Sequence, residues 1–287
     1  MMEDVPDAFK TLVNAQLVAL RRVLREYPVG RLIDASVRDS RRHKAQAHRN
    51  PLLRHGEKFY SQNDEDGILL EICRRIGLAA STFLEFGVGN GLENNTIILL
   101  MSEWRGAWVG GQDLQFAIPK ECRRLTFSKS WITVENAFQL YTEAARRLGI
   151  DAFDLLSVDM DGNDLHILQE LLRHSLHPSI VIVEYNGKFP PPIRFTVAYN
   201  PQHTFDETDY CGASLQSFVD LLEPAGYDLV ACNITGLNAF FVDRRFAAAF
   251  DDVPTSIAEL FVPADYASVT SIGHPPSPRT VLSFLRA

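Results

Sequence analysis

Apolar positions recur along this chain with two different periods. Between Asp7 and Arg25, Phe9, Leu12, Val13, Leu17, Leu20 and Leu24 fall at three- and four-residue steps, which predicts an amphipathic helix. RDSRRHKAQAHRN (Arg38 to Asn50) is basic and has no apolar periodicity. It reads as a solvated connector, or as an arm that covers a site or grips an anionic substrate such as a nucleotide sugar. From Phe59 the texture changes. SQNDEDGILLEICRRIGL, starting at Ser61, has acids in its first turn, late arginines and a closing Gly77, which predicts a helix capped by Ser61 and Asp64. The runs TFLEF (82–86), AWVGGQD (107–113), WITVEN (131–136), DLLSVDMD (154–161) and SIVIVEYN (179–186) predict strands, with helical stretches such as 140–148 and 164–172 between them. Strands separated in this way imply a parallel α/β sheet covered on both faces. YDLVACN (227–233) and NAFFVD (238–243), joined by turn-prone ITGL, predict an antiparallel hairpin at a sheet edge. Residues 59–250 are therefore expected to form a doubly wound, mostly parallel domain. A helix and basic arm (1–58) precede it, and a tail (251–287) packs on it.

Composition narrows the class. Of 287 residues, 46% are hydrophobic and 22% charged, the ordinary balance of a globular protein able to bury a core. No apolar run approaches the roughly 18 residues of a membrane span, and MMEDVPDAFK lacks the basic-then-apolar order of a secretory signal, so the cytoplasm is expected. Cys73, Cys122, Cys211 and Cys232 contain no CxxC pair, which argues against a zinc site or disulfide framework. A formal charge of -8 disfavours a nucleic-acid partner.

The chemistry concentrates in FLEFGVGNGLENN (83–95). In a doubly wound sheet, ligands sit beyond the carboxyl ends of the strands. The turn after Phe86 lies there, and Gly87, Gly89 and Gly91 let the backbone approach a ligand closely. The dinucleotide fingerprint is GxGxxG, whereas this loop is GxGxG preceded by Glu85. A carboxylate is a poor neighbour for pyrophosphate and a good one for an ammonium group, so the loop suits an amino-bearing cofactor such as S-adenosylmethionine. Asp113, some 20 residues downstream, stands where a ribose-binding acid belongs. Glu135 and Asn136 follow the expected third strand and Asp159 closes the fourth.

ExGxGxG resembles the first motif of class I methyltransferases. YSQNDEDGIL, FLEFGVGNGLENN, LLSVDMDGNDLHIL, IVIVEYNGKFPP, DYCGASL and CNITGLNAFFV are together similar to the FkbM-like methyltransferase group, from about Tyr60 to Val242. One departure is Asp159-Met160-Asp161-Gly162, where that group often has Asp-x-Glu-Gly. The resemblance implies a Rossmann-like fold, S-adenosylmethionine, and O-methylation of a sugar or other hydroxylated metabolite. It implies cofactor contacts from Gln62, Glu85, Gly87, Gly89, Gly91, Asn94, Asp113, Glu135, Asn136 and Asp159. Asp159, Glu184 and Asn186 also resemble the acid, acid and asparagine of metal-dependent O-methyltransferases, a hard-oxygen set suited to magnesium. The competing role for Asp159 is the cofactor amine, with Asp161 capping the next helix. A sugar hydroxyl is a weak acid and needs a base or a metal. Asp161, His166, Lys188 and His203 are the candidates, and Tyr199, Asp206, Asp209 and Tyr210 could line an acceptor pocket. Asn233, Gly236 and Asn238 fit a hairpin turn, and Trp104, Trp108, Trp131 and the cysteines read as core. The rival readings are an NAD-dependent oxidoreductase and a catalytically silent binding protein. The N-terminal helix offers a stripe through which a homodimer could form.

Overall fold

The computed structural model describes residues 28–204 and 208–265, together with Pro278, Leu282 and Leu285. The expected helix at 7–25, its dimer stripe, Asp206 and most of the tail lie outside the described residues.

Helix α1 (Pro28–Ala47) runs into a 3-10 turn (Pro51–His55), then α2 (Glu65–Ile76) and strand β1 (Thr82–Phe86). There follow α3 (Ile97–Met101), β2 (Arg105–Gly110), β3 (Leu125–Lys129), α4 (Val134–Leu148), β4 (Leu155–Val158), α5 (Asp164–Arg173) and β5 (Ile180–Glu184). The described chain continues with α6 (Leu215–Leu222), β6 (Tyr227–Cys232), β7 (Asn238–Asp243), a 3-10 stretch (Arg244–Phe250) and α7 (Ile257–Leu260). The seven strands form one sheet in the order β3-β2-β1-β4-β5-β7-β6. The first five are parallel, while β7 inserts antiparallel between β5 and β6. The expected doubly wound sheet with an edge hairpin is thus present. β1, β4 and β5 are apolar almost throughout because helices cover both faces of the sheet.

Two local expectations fail for identifiable reasons. Residues 131–136 are not the third strand. LTFSK (125–129) pairs with β2 instead, and Thr133 stands in extended backbone as the N-cap of α4. Two β-favouring apolar runs compete here, and the helix cap claims the second. The basic segment 38–47 is the second half of α1, largely exposed, rather than an irregular connector. Its Lys44 pairs with Asp265, and Arg49 just beyond pairs with Glu259, so these cations serve the chain's own acids.

Parallel register places Glu85, Ser157 and Asp159 on one face of the sheet, and Glu184 opposite Asn238 extends that row. Because α2 runs back against β1, its N-terminal segment SQNDEDG reaches the carboxyl end of the sheet. The β6–β7 turn (233–237) lies at that same end. No described helix is long and apolar enough to cross a membrane.

Candidate active site

Glu85 is 3% exposed and organises the glycine loop. Its carboxylate accepts the backbone N–H groups of Asn95 (2.9 Å) and Thr96 (3.2 Å) and the Thr96 hydroxyl, and the Asn94 side chain bonds it as well. Thr96 Oγ1 in turn accepts from the buried Trp108 indole (2.9 Å), and the Asn95 carboxamide donates to Ser157 Oγ (3.3 Å). Burial raises the Glu85 carboxyl to about 7 despite these donors. The loop's own donors bond the carboxylate, which sets the loop's shape. Asn95 and Thr96 escaped sequence reading because the loop must fold back on Glu85, and Ser157 because only register brings it beside them.

The glycines divide by what faces them. Gly87 has φ +91, and a Cβ there would lie 1.5 Å from the Asp159 carbonyl oxygen. Gly91, at φ +82, abuts Leu114 and Phe116. Gly89 has ordinary φ, and a Cβ there would meet nothing within 4 Å. The loop is thus packed at its two ends and open in the middle.

Asp159 and Glu184 stand side by side just beyond β4 and at the end of β5, with a hydrogen bond between their carboxyls. Burial first, then the charges of neighbouring acids, hold both well above the usual carboxylate range. Two carboxyls in contact keep one proton between them. Asp164 closes the loop before α5 by accepting from Met160 and Gly162 N–H (2.8 Å each), and burial raises it to about 6. Asp161 is consequently not the helix cap; it projects at φ 58, exposed, and His203 lies over it, its Nε2 3.3 Å from the Asp161 carbonyl oxygen.

The α2 side adds a second polar layer. Asp64 stands at the N-cap position of α2 but its side chain makes no cap hydrogen bond, and neither does that of Ser61. Asp66 gathers the N–H groups of Phe59, Tyr60 and Ser61, while Asp64 accepts from Ile234 N–H (3.0 Å). Burial raises Asp64 to about 7 and Asp66 to about 6. Glu65 accepts from the carboxamides of Asn233 (2.6 Å) and Asn238 (3.1 Å), so those asparagines tie the hairpin turn to α2 rather than merely shaping it. The buried Asn63 carboxamide and Asn238 Oδ1 have no hydrogen-bond partner among the described residues. Arg41 of α1 is close enough to pull Asp64 downward.

Other expected residues sit elsewhere. Gln62 is exposed, near the mouth of this layer. Asp113 lies three residues beyond β2 on an exposed loop, 2.6 Å from Lys129 Nζ. Asn136 spends its carboxamide on Thr133 N–H (2.8 Å) and the Trp131 carbonyl (2.9 Å), and Glu135 accepts from the Tyr199 hydroxyl (2.6 Å). His166 is held by the Val197 carbonyl (2.8 Å), which ties Val197 to α5 and argues against the histidine's use as a base. Trp131 is 49% exposed and bonds the Pro201 carbonyl, so it belongs to this wall and not to the core.

Of the expected metal set, Asp159 and Glu184 meet while Asn186 is engaged elsewhere. Asn186 donates to the carbonyls of Asp209 (2.9 Å) and Cys211 (3.0 Å), and its Oδ1 accepts from Lys188 N–H. Among the described residues no group of three or more His, Cys, Asp or Glu could hold a metal ion.

Two hollows open at this end. One, about 260 Å³, is bounded by Glu184, Asp161, Lys188, Asp209 and Cys211. The other, about 390 Å³, lies past β2 against the first half of β3 and is lined by Asp113, Leu114, Phe116 and Phe127. A hollow of about 540 Å³, at the opposite end between β6, β7 and 250–257, is walled by Val219, Leu229, Phe241 and Phe250 and holds none of these acids but Asp228, Asp243, Asp251 and Glu223 at its margin.

The strand order, the antiparallel seventh strand and a glycine loop after β1 define the class I methyltransferase fold. No model of a known protein family matches the sequence, and no curated protein does. Solved structures were matched at low similarity. The cofactor-bound protein Rv0187 from MTB is 15% identical, over 78% of this chain and 96% of that one, with a TM-score of 0.37. An O-methyltransferase from Bacillus cereus in complex with SAH is 15% identical over 72% and 89%, TM-score 0.37. The Burkholderia thailandensis 1,6-didemethyltoxoflavin-N1-methyltransferase, with S-adenosylhomocysteine bound, is 13% identical over 84% and 90%, TM-score 0.35. Scores this low add nothing to the strand order, on which the fold assignment rests.

Proposed function

We propose that the protein is an S-adenosylmethionine-dependent methyltransferase, of the FkbM-like kind, acting on a hydroxyl of a sugar or other polyhydroxylated metabolite. The observation that carries this reading is Gly89. It is the one member of the GxGxG loop whose Cβ direction is open, midway between closed glycines and at the carboxyl end of the sheet. Nothing in the fold requires glycine there, whereas a closely approaching ligand does.

S-adenosylmethionine, when bound, supplies a methyl group on a positively charged sulfur. The Gly87–Gly91 backbone would take its methionine end, with Gln62 and Asn63 on the α2 side offering further polar groups. Asp113 would take the ribose after leaving Lys129, an exposed pair worth about 1 kcal/mol or less. The apolar hollow of Leu114, Phe116 and Phe127 suits a planar base. On the acceptor side, Asp159 and Glu184 form the group that receives the hydroxyl proton, since a pair holding one proton has one carboxylate left to accept another. His203 and Asp161 stand at the rim and orient the acceptor. Asn186, the third member of the expected metal set, is turned to the 209–211 backbone, and no step is routed through a metal.

Calorimetric titration of S-adenosylmethionine and S-adenosylhomocysteine, with NAD beside them, tests the reading. Micromolar affinity for the sulfur compounds is expected, weakened about 100-fold or more by Gly89→Arg, which fills the open direction without strain. A response to NAD alone would move the assignment to the oxidoreductase reading.

A further inference from the structure

The hollow of about 260 Å³ beside Glu184 has a chemical preference of its own. Its floor is the end of β5. One wall is the 208–212 strip, pinned by Asn186 to the carbonyls of Asp209 and Cys211. Leu237 of the β6–β7 turn closes the other side, and Asp161 reaches over from the β4 loop. Three carboxyl groups line it, from Asp161, Glu184 and Asp209, against one ammonium group. That ammonium, Lys188 Nζ, lies 3.1 Å from Asp209 Oδ2, which leaves the acids in excess by two groups. An anion entering this space meets carboxylates without a compensating cation, whereas hydroxyl groups find acceptors on three sides.

Size restricts the occupant further. A volume of about 260 Å³ matches a subsite for one ring rather than a pocket that encloses a larger ligand.

We infer that this hollow is the acceptor subsite and that it selects a single neutral hydroxylated ring, carrying neither phosphate nor carboxylate next to the methylated position. The inference deepens the methyltransferase reading, but it is tested without the cofactor. Cys211 lines the hollow and is half-buried, Cys122 is the other partly exposed cysteine, and Cys73 and Cys232 are buried. In a Cys122→Ser protein, alkylation of Cys211 therefore reports access to the subsite.

Two measurements decide it. First, the rates of Cys211 alkylation by neutral iodoacetamide and anionic iodoacetate are compared with those of Cys122 in a Cys211→Ser protein. The anionic reagent should be disfavoured at Cys211 by a further fivefold or about that, and Asp209→Asn should shrink the difference. Second, the methyl glycosides of glucose, galactose, mannose and rhamnose are compared with matched uronates and sugar phosphates as protectants. At least one neutral ring should slow Cys211 alkylation, with its anionic counterparts giving less protection. Equal treatment of the two reagents, better protection by the anions, or protection by no ring would overturn the inference. If S-adenosylmethionine still binds in that event, only the subsite assignment falls. If rings protect but the cofactor does not bind, the methyltransferase reading falls and the subsite stands.

Discussion

At the amino end of the sheet the acids are answered by arginine, histidine or Thr82; at the carboxyl end they are buried and answered by backbone and amide donors or, for Asp159 and Glu184, by each other. Glu71, near the end of α2, is held down to about 2 by Arg74 first and Arg75 with it, and Arg75 also grips Asp252. Asp154 accepts both the N–H and the hydroxyl of Thr82, and Asp243 lies between His177 and Arg245. At the other end, Glu85 and Asp64 are raised to about 7, and Asp159 and Glu184 stand higher than ordinary carboxylates, with burial the leading cause throughout. One sheet therefore carries an end where charge is paired with cations and an end where burial pushes carboxyls toward their neutral form. Concentrations of perturbed groups of the second kind mark functional sites more often than structural ones.

Substitutions should separate the two ends. The largest effect is expected from Glu184→Gln, which removes the shared proton site. Methyl transfer to an accepting sugar should fall by about 10²–10⁴-fold, while S-adenosylhomocysteine affinity holds within a factor of a few. A comparable loss of affinity would assign Glu184 to the cofactor instead. Next comes Gly87→Ala, which drives a Cβ into the Asp159 carbonyl at positive φ. It should destabilise the fold by about 3 kcal/mol or more in denaturant unfolding, whereas Gly89→Arg should unfold close to wild type. Arg75→Ala, at the amino end, should cost about 2 kcal/mol in stability because it strips Glu71 and Asp252 of a partner. It should leave cofactor affinity unchanged.

The smallest effect is a pH dependence, and its sign follows from the direction of the shifts. Asp64, Asp66, Glu85 and Asp164 have folded values above those of the unfolded chain. Their protonated forms favour folding, so that contribution is present at low pH and is lost as pH rises through about 6 to 7. Glu71, depressed to about 2, is ionised in both states over this window and adds no slope. Melting temperature should therefore be higher near pH 5.5 than at pH 8, by roughly 5 °C. Glu85→Gln should flatten the curve, and an unchanged slope would remove Glu85 as a contributor.

Local periodicity carried most of the architecture. TFLEF, the β4 and β5 runs and the final two strands lie where their apolar patterns place them, and Gly77 ends α2 at φ 73 as a left-handed cap. Such patterns are legible because each strand is buried on both faces and needs no partner to be recognised. The errors fall where two segments compete or where a polar side chain has two uses. WITVEN has strand composition, yet Thr133 and Asn136 bond each other's backbone to start α4, and LTFSK takes the place beside β2. Ser61 and Asp64 match a capping pattern, yet Asp64 is turned to Ile234, 170 residues away.

Candidate chemistry divides along the same line. The glycine loop, Glu85, Asp159 and Glu184 are visible in the chain because strand ends announce themselves and the residues after them face the ligand side of a doubly wound sheet. Whether each side chain is free could not be read there. Glu85 is bonded by Asn95 and Thr96, Asn186 by the 209–211 backbone and His166 by Val197, and each of these contacts depends on how loops return across the sheet. The order of residues settled which strands form and which acids sit at their ends. Only the packed structure decided which acids touch, which are already engaged by neighbouring donors, and where a cavity remains, because burial and register act between segments far apart in the chain.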